Sequence, residues 1–121
     1  MFWRARRSSL PHNDALYLAH MLDTARKAAS KVRNLTFEEF SADENLHLAC
    51  LHLVQTVGEA AARVSAETRA RWADIPWRQI TGMRHRIVHN YLDVDLEIVW
   101  QVIRGDLPDL IVGLERVTTG E

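Results

Sequence analysis

Between positions 84 and 91 the chain reads Arg84-His85-Arg86-Ile87-Val88-His89-Asn90-Tyr91, its densest polar cluster. Two arginines, two histidines, an asparagine and a tyrosine stand there beside apolar neighbours. A histidine titrates near neutrality, so it can accept or deliver a proton at working pH. An arginine stays charged and can hold an anionic, five-coordinate phosphorus through paired N–H donors. Those two capabilities are what metal-free cleavage of an RNA phosphodiester needs, with the ribose 2′-hydroxyl as nucleophile. On a regular helix, however, Arg84 and His89 differ by about 140°. They converge only if the helix end is distorted or a second subunit brings its copy alongside. The plainer alternative stays open: His89 caps the last carbonyls of a helix, and Arg84 pairs with a surface acid.

Other chemistries fit less well. On a helix His85 and His89 would lie about 40° apart, close enough to share one metal ion. Arg86 follows the first of them, where zinc proteases carry glutamate, and its charge opposes a divalent ion. With no third ligand fixed nearby, no metal site is expected. The single cysteine, Cys50, can close no intrachain disulfide and reads as a small core residue. There is no Gly-x-Ser-x-Gly elbow and no glycine-rich phosphate loop, so no cofactor is expected either.

The cluster has to be positioned by helices. With 121 residues, 47% hydrophobic and 26% charged, the chain has the size and balance of one globular domain. Three prolines and five glycines leave long stretches without helix breakers and argue against an all-β sandwich. Apolar spacing is helical throughout. A first helix runs from an N-cap at Asn13 or Asp14 to near Val32, burying Tyr17, Met21, Ala25, Ala28 and Val32. Thr36-Phe37-Glu38-Glu39 is a capping box. It opens a second helical region, kinked near residues 41–43, that reaches about Val64 with Leu46, Cys50, Leu53, Val54, Val57 and Ala61 on one face. Ser65 caps a short helix through Trp72. Pro76 starts another, with Trp77, Ile80, Met83, Ile87 and Val88 inward and the polar cluster at its C-terminal end. Asp93 or Asp95 begins the next, and Asp106 with Pro108 the last. The expected fold is an all-α, up-and-down bundle of four to five helices. Residues 1–12 read as a basic arm, 13–117 as the domain and 118–121 as a tail. Trp77 and Trp100 read as core anchors, and Glu59 as the partner of an arginine on a neighbouring helix.

Charge is unevenly placed: residues 1–33 carry a net +5 and residues 93–121 a net −5. Thirteen of the fifteen cations are arginine, which suits phosphate recognition. The asymmetry fits a basic surface for phosphate, two ends that attract each other, or simply solvated helix faces. A basic first helix lining an RNA channel through Arg26, Lys27, Lys31 and Arg33 is one such surface. No window is apolar enough to span a membrane. The basic start, Phe2-Trp3-Arg4-Ala5-Arg6-Arg7, is followed by polar residues where a signal peptide would be apolar. A cytoplasmic protein is expected.

Arg84, four intervening residues, then His89-Asn90-Tyr91 matches the Arg-x4-His-x-Tyr motif of the HEPN superfamily. More closely, the chain resembles the HepT-like ribonuclease toxins. The likeness extends to Leu35-Thr36-Phe37-Glu38-Glu39-Phe40, Gly58-Glu59-Ala60-Ala61, Ile75-Pro76-Trp77-Arg78 and Val94-Asp95-Leu96-Glu97-Ile98-Val99-Trp100, and covers roughly Asp14 to Val117.

The resemblance implies a HEPN-like bundle that forms a homodimer, with the two motifs facing a shared cleft. It implies a metal-independent endoribonuclease toxin of a toxin–antitoxin pair, acting on cellular RNA such as tRNA or mRNA. Arg84 would steady the scissile phosphate, His89 would be the acid–base residue and His85 would assist. The cognate antitoxin would be a minimal nucleotidyltransferase able to AMPylate Tyr91. Charge added there would occupy the anion site and repel RNA. The alternative is a non-catalytic HEPN module that partners a nucleotidyltransferase and binds nucleotide or RNA without cutting.

Overall fold

Local side-chain chemistry sets most of the helix boundaries. Thr36 accepts a hydrogen bond from the Glu39 amide at 3.1 Å, while the Glu39 carboxylate accepts from the Thr36 amide at 2.9 Å. That reciprocal box starts a short helix. Asp43 accepts from the Leu46 amide at 3.0 Å and starts a long one, so the kink expected near residues 41–43 is a full break. Ser65 and Asp95 cap in the same way, through the amides of Thr68 and Ile98.

The computed structural model describes residues 12–90 and 93–119. Its helices are α1 (His12–Lys31), α2 (Phe37–Ala42), α3 (Glu44–Arg63), α4 (Ala66–Arg71), α5 (Trp77–Thr81), α6 (Met83–Ile87), α7 (Leu96–Gln101) and α8 (Leu107–Thr119). Two short strands, β1 (Val88–Asn90) and β2 (Asp93–Val94), pair antiparallel between α6 and α7. A π-helical turn, Val102–Asp106, joins α7 to α8. The backbone stays helical or nearly so through Gly82 between α5 and α6 and through the π-turn between α7 and α8, and the architecture is the expected all-α bundle. Among the described residues no helix is long and apolar enough to cross a membrane.

The core forms around α1 and α3. Met21, Ala25, Ala28 and Val32 of α1 are buried with Cys50, Val54, Val57 and Ala61 of α3. Small residues at this contact let the two axes approach closely. Burial pushes the Cys50 thiol above its ordinary pKa, in keeping with its place as a small apolar group. Helix α8 adds Leu107, Leu110, Leu114 and Val117. Where α5 crosses α3, a Cβ on Gly58 would stand 3.1 Å from the Ile80 carbonyl oxygen, so glycine sets that approach. Trp77 is buried, and its indole N–H donates to the Trp72 carbonyl at 3.1 Å. Trp100 is half-buried and packs against Phe37 and Phe40.

Several expectations are corrected. Asp14 is not an exposed N-cap: it lies inside the first turn of α1 and is only 3% exposed. Its carboxylate accepts from the Ser65 amide at 2.9 Å and from the hydroxyls of Ser65 and Thr68, each at 2.5 Å. The start of α1 is thereby fastened to the end of α3, which makes the two antiparallel. The last two helices are not separated by a loop. The π-turn carries the chain through, with the Leu107 amide donating to the Val102 carbonyl. Pro108 has no N–H to give and its ring crowds the carbonyl four residues earlier, so a widened turn just before it relieves both problems. Thr118 and Thr119, expected in the tail, are helical, and Thr118 Oγ1 donates to the Leu114 carbonyl at 3.0 Å. His12 belongs to α1 rather than to an arm; residues 1–11 lie outside the described residues. Glu59 is exposed and has no ion-pair partner among the described residues.

Two consequences can be measured. Burial opposes ionisation of Asp14, but the hydrogen bonds from Ser65 and Thr68, helped by Arg69, outweigh it and hold the carboxyl below its ordinary pKa. A carboxyl so depressed adds stability above its unfolded pKa, and that stability is lost as pH falls through the folded value. Urea midpoints should therefore fall below about pH 4. Asp14→Asn should cost about 1–3 kcal/mol at neutral pH and flatten that acid limb. Gly58→Leu should cost roughly 1–3 kcal/mol in the same assay, because the added side chain meets backbone.

Candidate functional site

Gly82 divides the helical segment that carries the polar cluster. Helix α5 ends there, and α6 takes up Met83 to Ile87, with Met83 and Ile87 buried. These two residues sit four apart and fasten one side of α6 to the core. That leaves Arg84, His85 and Arg86 exposed on the other side. Arg86 turns toward the π-turn and pairs with Asp106 at 3.3 Å. Arg84 and His85 make no side-chain hydrogen bond or ion pair with another described residue.

Helical geometry stops at Ile87. Val88 has φ −108° and ψ 106°, and the chain continues as a strand rather than as the helix end the spacing predicts. Val88 pairs with Val94 and Asn90 with Asp93, with an irregularity between the two pairs. The Asp95 amide donates to the Ile87 carbonyl at 2.8 Å and closes the hairpin at its base. Val88 and Ile87 are β-branched, which suits an extended backbone as well as it suits an apolar helix stripe.

This changes the relation between the candidate residues. His89 lies on β1, so the 140° separation of a regular helix does not apply to Arg84 and His89. The same break removes the shared helical face on which His85 and His89 would have held a metal ion. Only the backbone of His89 and Asn90 belongs to the described structure, and Tyr91 lies outside the described residues. The structure thus brings Arg84 and His85 onto one exposed turn and places the backbone of His89 just after it. Among the described residues no group of three His, Cys, Asp or Glu side chains is gathered as a metal site.

One exposed contact lies outside the motif. The Arg104 guanidinium lies over the Trp100 ring, 5.2 Å from its centroid, and reaches the Leu35 carbonyl at 3.5 Å. Its only trace in the sequence is the four-residue spacing from Trp100, which places both on one side of a helix.

The family model described as ribonuclease HepT-like matches residues 21–117. A protein of Caldanaerobacter subterraneus subsp. tengcongensis, provisionally named an RNase, is 32% identical over 94 residues, covering 78% of this chain and 84% of its own length. The "Probable ribonuclease HepT" of Thermococcus cleftensis is 27% identical over 106 residues, covering 88% and 94%. A provisionally named RNase of Methanocaldococcus jannaschii is 22% identical over 101 residues, covering 84% and 93%. No solved structure matches the chain. A family match that takes in the α1–α3 core, the α6–β1 corner and the final helix, with relatives matched over most of their length, makes this chain a member of the HepT-like family.

Proposed function

We propose that this HepT-like protein is a metal-independent endoribonuclease and the toxin of a toxin–antitoxin pair. The observation that carries the reading is the end of α6 at Ile87, which puts the exposed Arg84 on a helix and His89 on the strand that follows it. In the proposed reaction the ribose 2′-oxygen attacks the adjacent phosphorus. His89 takes the 2′-hydroxyl proton, the P–O5′ bond breaks to leave a 2′,3′-cyclic phosphate, and water supplies the proton with which the 5′-oxygen leaves as a hydroxyl. Arg84 holds the phosphate oxygens, where its two N–H donors meet the charge that grows in the transition state. His85, exposed beside Arg84, assists in binding the same anion.

RNA is the substrate, and a homodimer places two such corners across one cleft. A minimal nucleotidyltransferase antitoxin silences the site by AMPylating Tyr91. The new phosphate would compete for Arg84 and repel the RNA backbone. The family match and the RNase names of its relatives support the activity; the toxin pairing and the modification rest on the motif.

The test is a gel assay of purified protein with total tRNA in excess EDTA, beside Arg84→Ala and His89→Ala, each checked for folding by circular dichroism. Wild type should cut, and each variant should lose at least about 100-fold in rate, the usual worth of a positioned acid–base group. Folded wild type that binds RNA without cutting it would favour the non-catalytic binding module instead.

A further inference from the structure

The cations of the first helix do not form one uniform face. Arg26 is held by Glu115 of α8 at 2.6 Å, and Lys27 by Asp23 at 3.3 Å. These two are largely neutralised. Lys31 and Arg33, both exposed, have no ion-pair partner among the described residues. A third cation joins them from far along the chain. Arg104 reaches the Leu35 carbonyl, which brings its guanidinium to the loop just after Arg33, and the Trp100 ring beneath it limits its freedom.

Of the three, Arg33 also lines an open groove of about 550 Å³ between α1 and α8, together with Asp23, Arg26, Lys27, Ala29, Ser30 and Ile111. The opposite flank of α8 has the other sign. There Asp74, Asp106 and Asp109, with Arg116 among them, line a separate groove of about 430 Å³. Helix α8 thus divides a basic side from an acidic one. A flexible polyanion would be attracted to the first and turned away from the second.

We infer that Lys31, Arg33 and Arg104 form a docking track for single-stranded RNA, with Trp100 holding Arg104 in place and the α1–α8 groove receiving the backbone. The inference rests on the ribonuclease reading for its choice of polyanion. It adds a substrate-holding surface separate from Arg84 and His89, on the side of the bundle built by α1. The track explains how a small site with few recognition groups retains a long substrate: affinity comes from phosphate contacts away from the bond that breaks.

The experiment measures binding of a short 2′-O-methylated RNA strand, which has no free 2′-hydroxyl and cannot be cut, by fluorescence anisotropy in EDTA at about 50–200 mM salt. Lys31→Glu/Arg33→Glu touches no packed side chain and guards against a folding artefact; the triple variant adds Arg104→Glu. Each phosphate contact on a single strand contributes about 0.7 to the slope of log affinity against log salt. The triple variant should therefore lose about 2 from that slope and bind at least tenfold more weakly at low salt, with the double variant between. Arg116→Glu, on the acidic flank, should leave both unchanged.

Unchanged affinity and slope in the triple variant would overturn the track, as would equal losses in Arg116→Glu. A dinucleotide substrate separates this result from the catalytic reading. Its single phosphate is the one that is cut, so none is left for the track, and the triple variant should cut it at the wild-type rate, whereas Arg84→Ala should not. Loss of the salt slope with no tRNA cleavage by wild type would leave the track standing and remove the ribonuclease. A triple variant that fails to cut the dinucleotide while wild type cuts it would overturn the track as a separate surface.

Discussion

The close antiparallel packing of α1 on α3 is the constraint on which the other elements depend. Ala25, Ala28, Cys50 and Ala61 are small and fully buried, which lets the two helices pack closely. Asp14 fixes the far end of this pair by accepting three hydrogen bonds from Ser65 and Thr68. A buried carboxylate without such partners would be costly, and the donors here come from the turn that α1 must meet. Once these two rods are locked, α3 offers its remaining sides to α2, α5, α6 and α7, and α1 receives α8.

The polar corner depends on that scaffold in a simple way. Met83 and Ile87 anchor one side of α6, so the residues between them are forced outward. The chain then leaves helical geometry, and the backbone bond from Asp95 to Ile87 fixes where it turns back. Arg86 adds a side-chain tie to Asp106 across to the π-turn. Of the two arginines in the cluster, Arg86 thus braces the corner, while Arg84 stays exposed with no ion-pair partner among the described residues.

Much of this was legible in the sequence because it is local chemistry. The Thr36 box and the Ser65 and Asp95 caps each join a side chain to an amide three residues on, and such pairs can be read directly. The candidate residues stood out by type and spacing, and the roles proposed for them come from the resemblance alone. What was not legible depends on distant partners. Asp14 looks like a cap until Ser65 is placed beside it, and Val88 continues a helical apolar stripe until Val94 pairs with it. Asp106 and Pro108 look like the start of a new helix, since nothing nearby announces that a widened turn will carry the chain through. Arg26 reads as a free cation of a basic helix, and only the fold brings Glu115 to it, giving substance to the attraction between the oppositely charged ends.

The π-turn at Val102–Asp106 also governs how this protein can drift over generations. By composition the turn is permissive: a side chain on Gly105 would meet nothing within 4 Å. By length it is forgiving in one direction. Five residues in π geometry carry the chain through about the same angle as four in α geometry, so deleting one would leave a plain α-helix with Leu110, Leu114 and Val117 still facing the core. A residue lost from the regular helix on either side has no such slack: everything beyond would rotate by about 100°, and Glu115 would leave Arg26 behind. The π-turn is thus a place where this bundle can lose a residue over generations and keep the phase of its last helix.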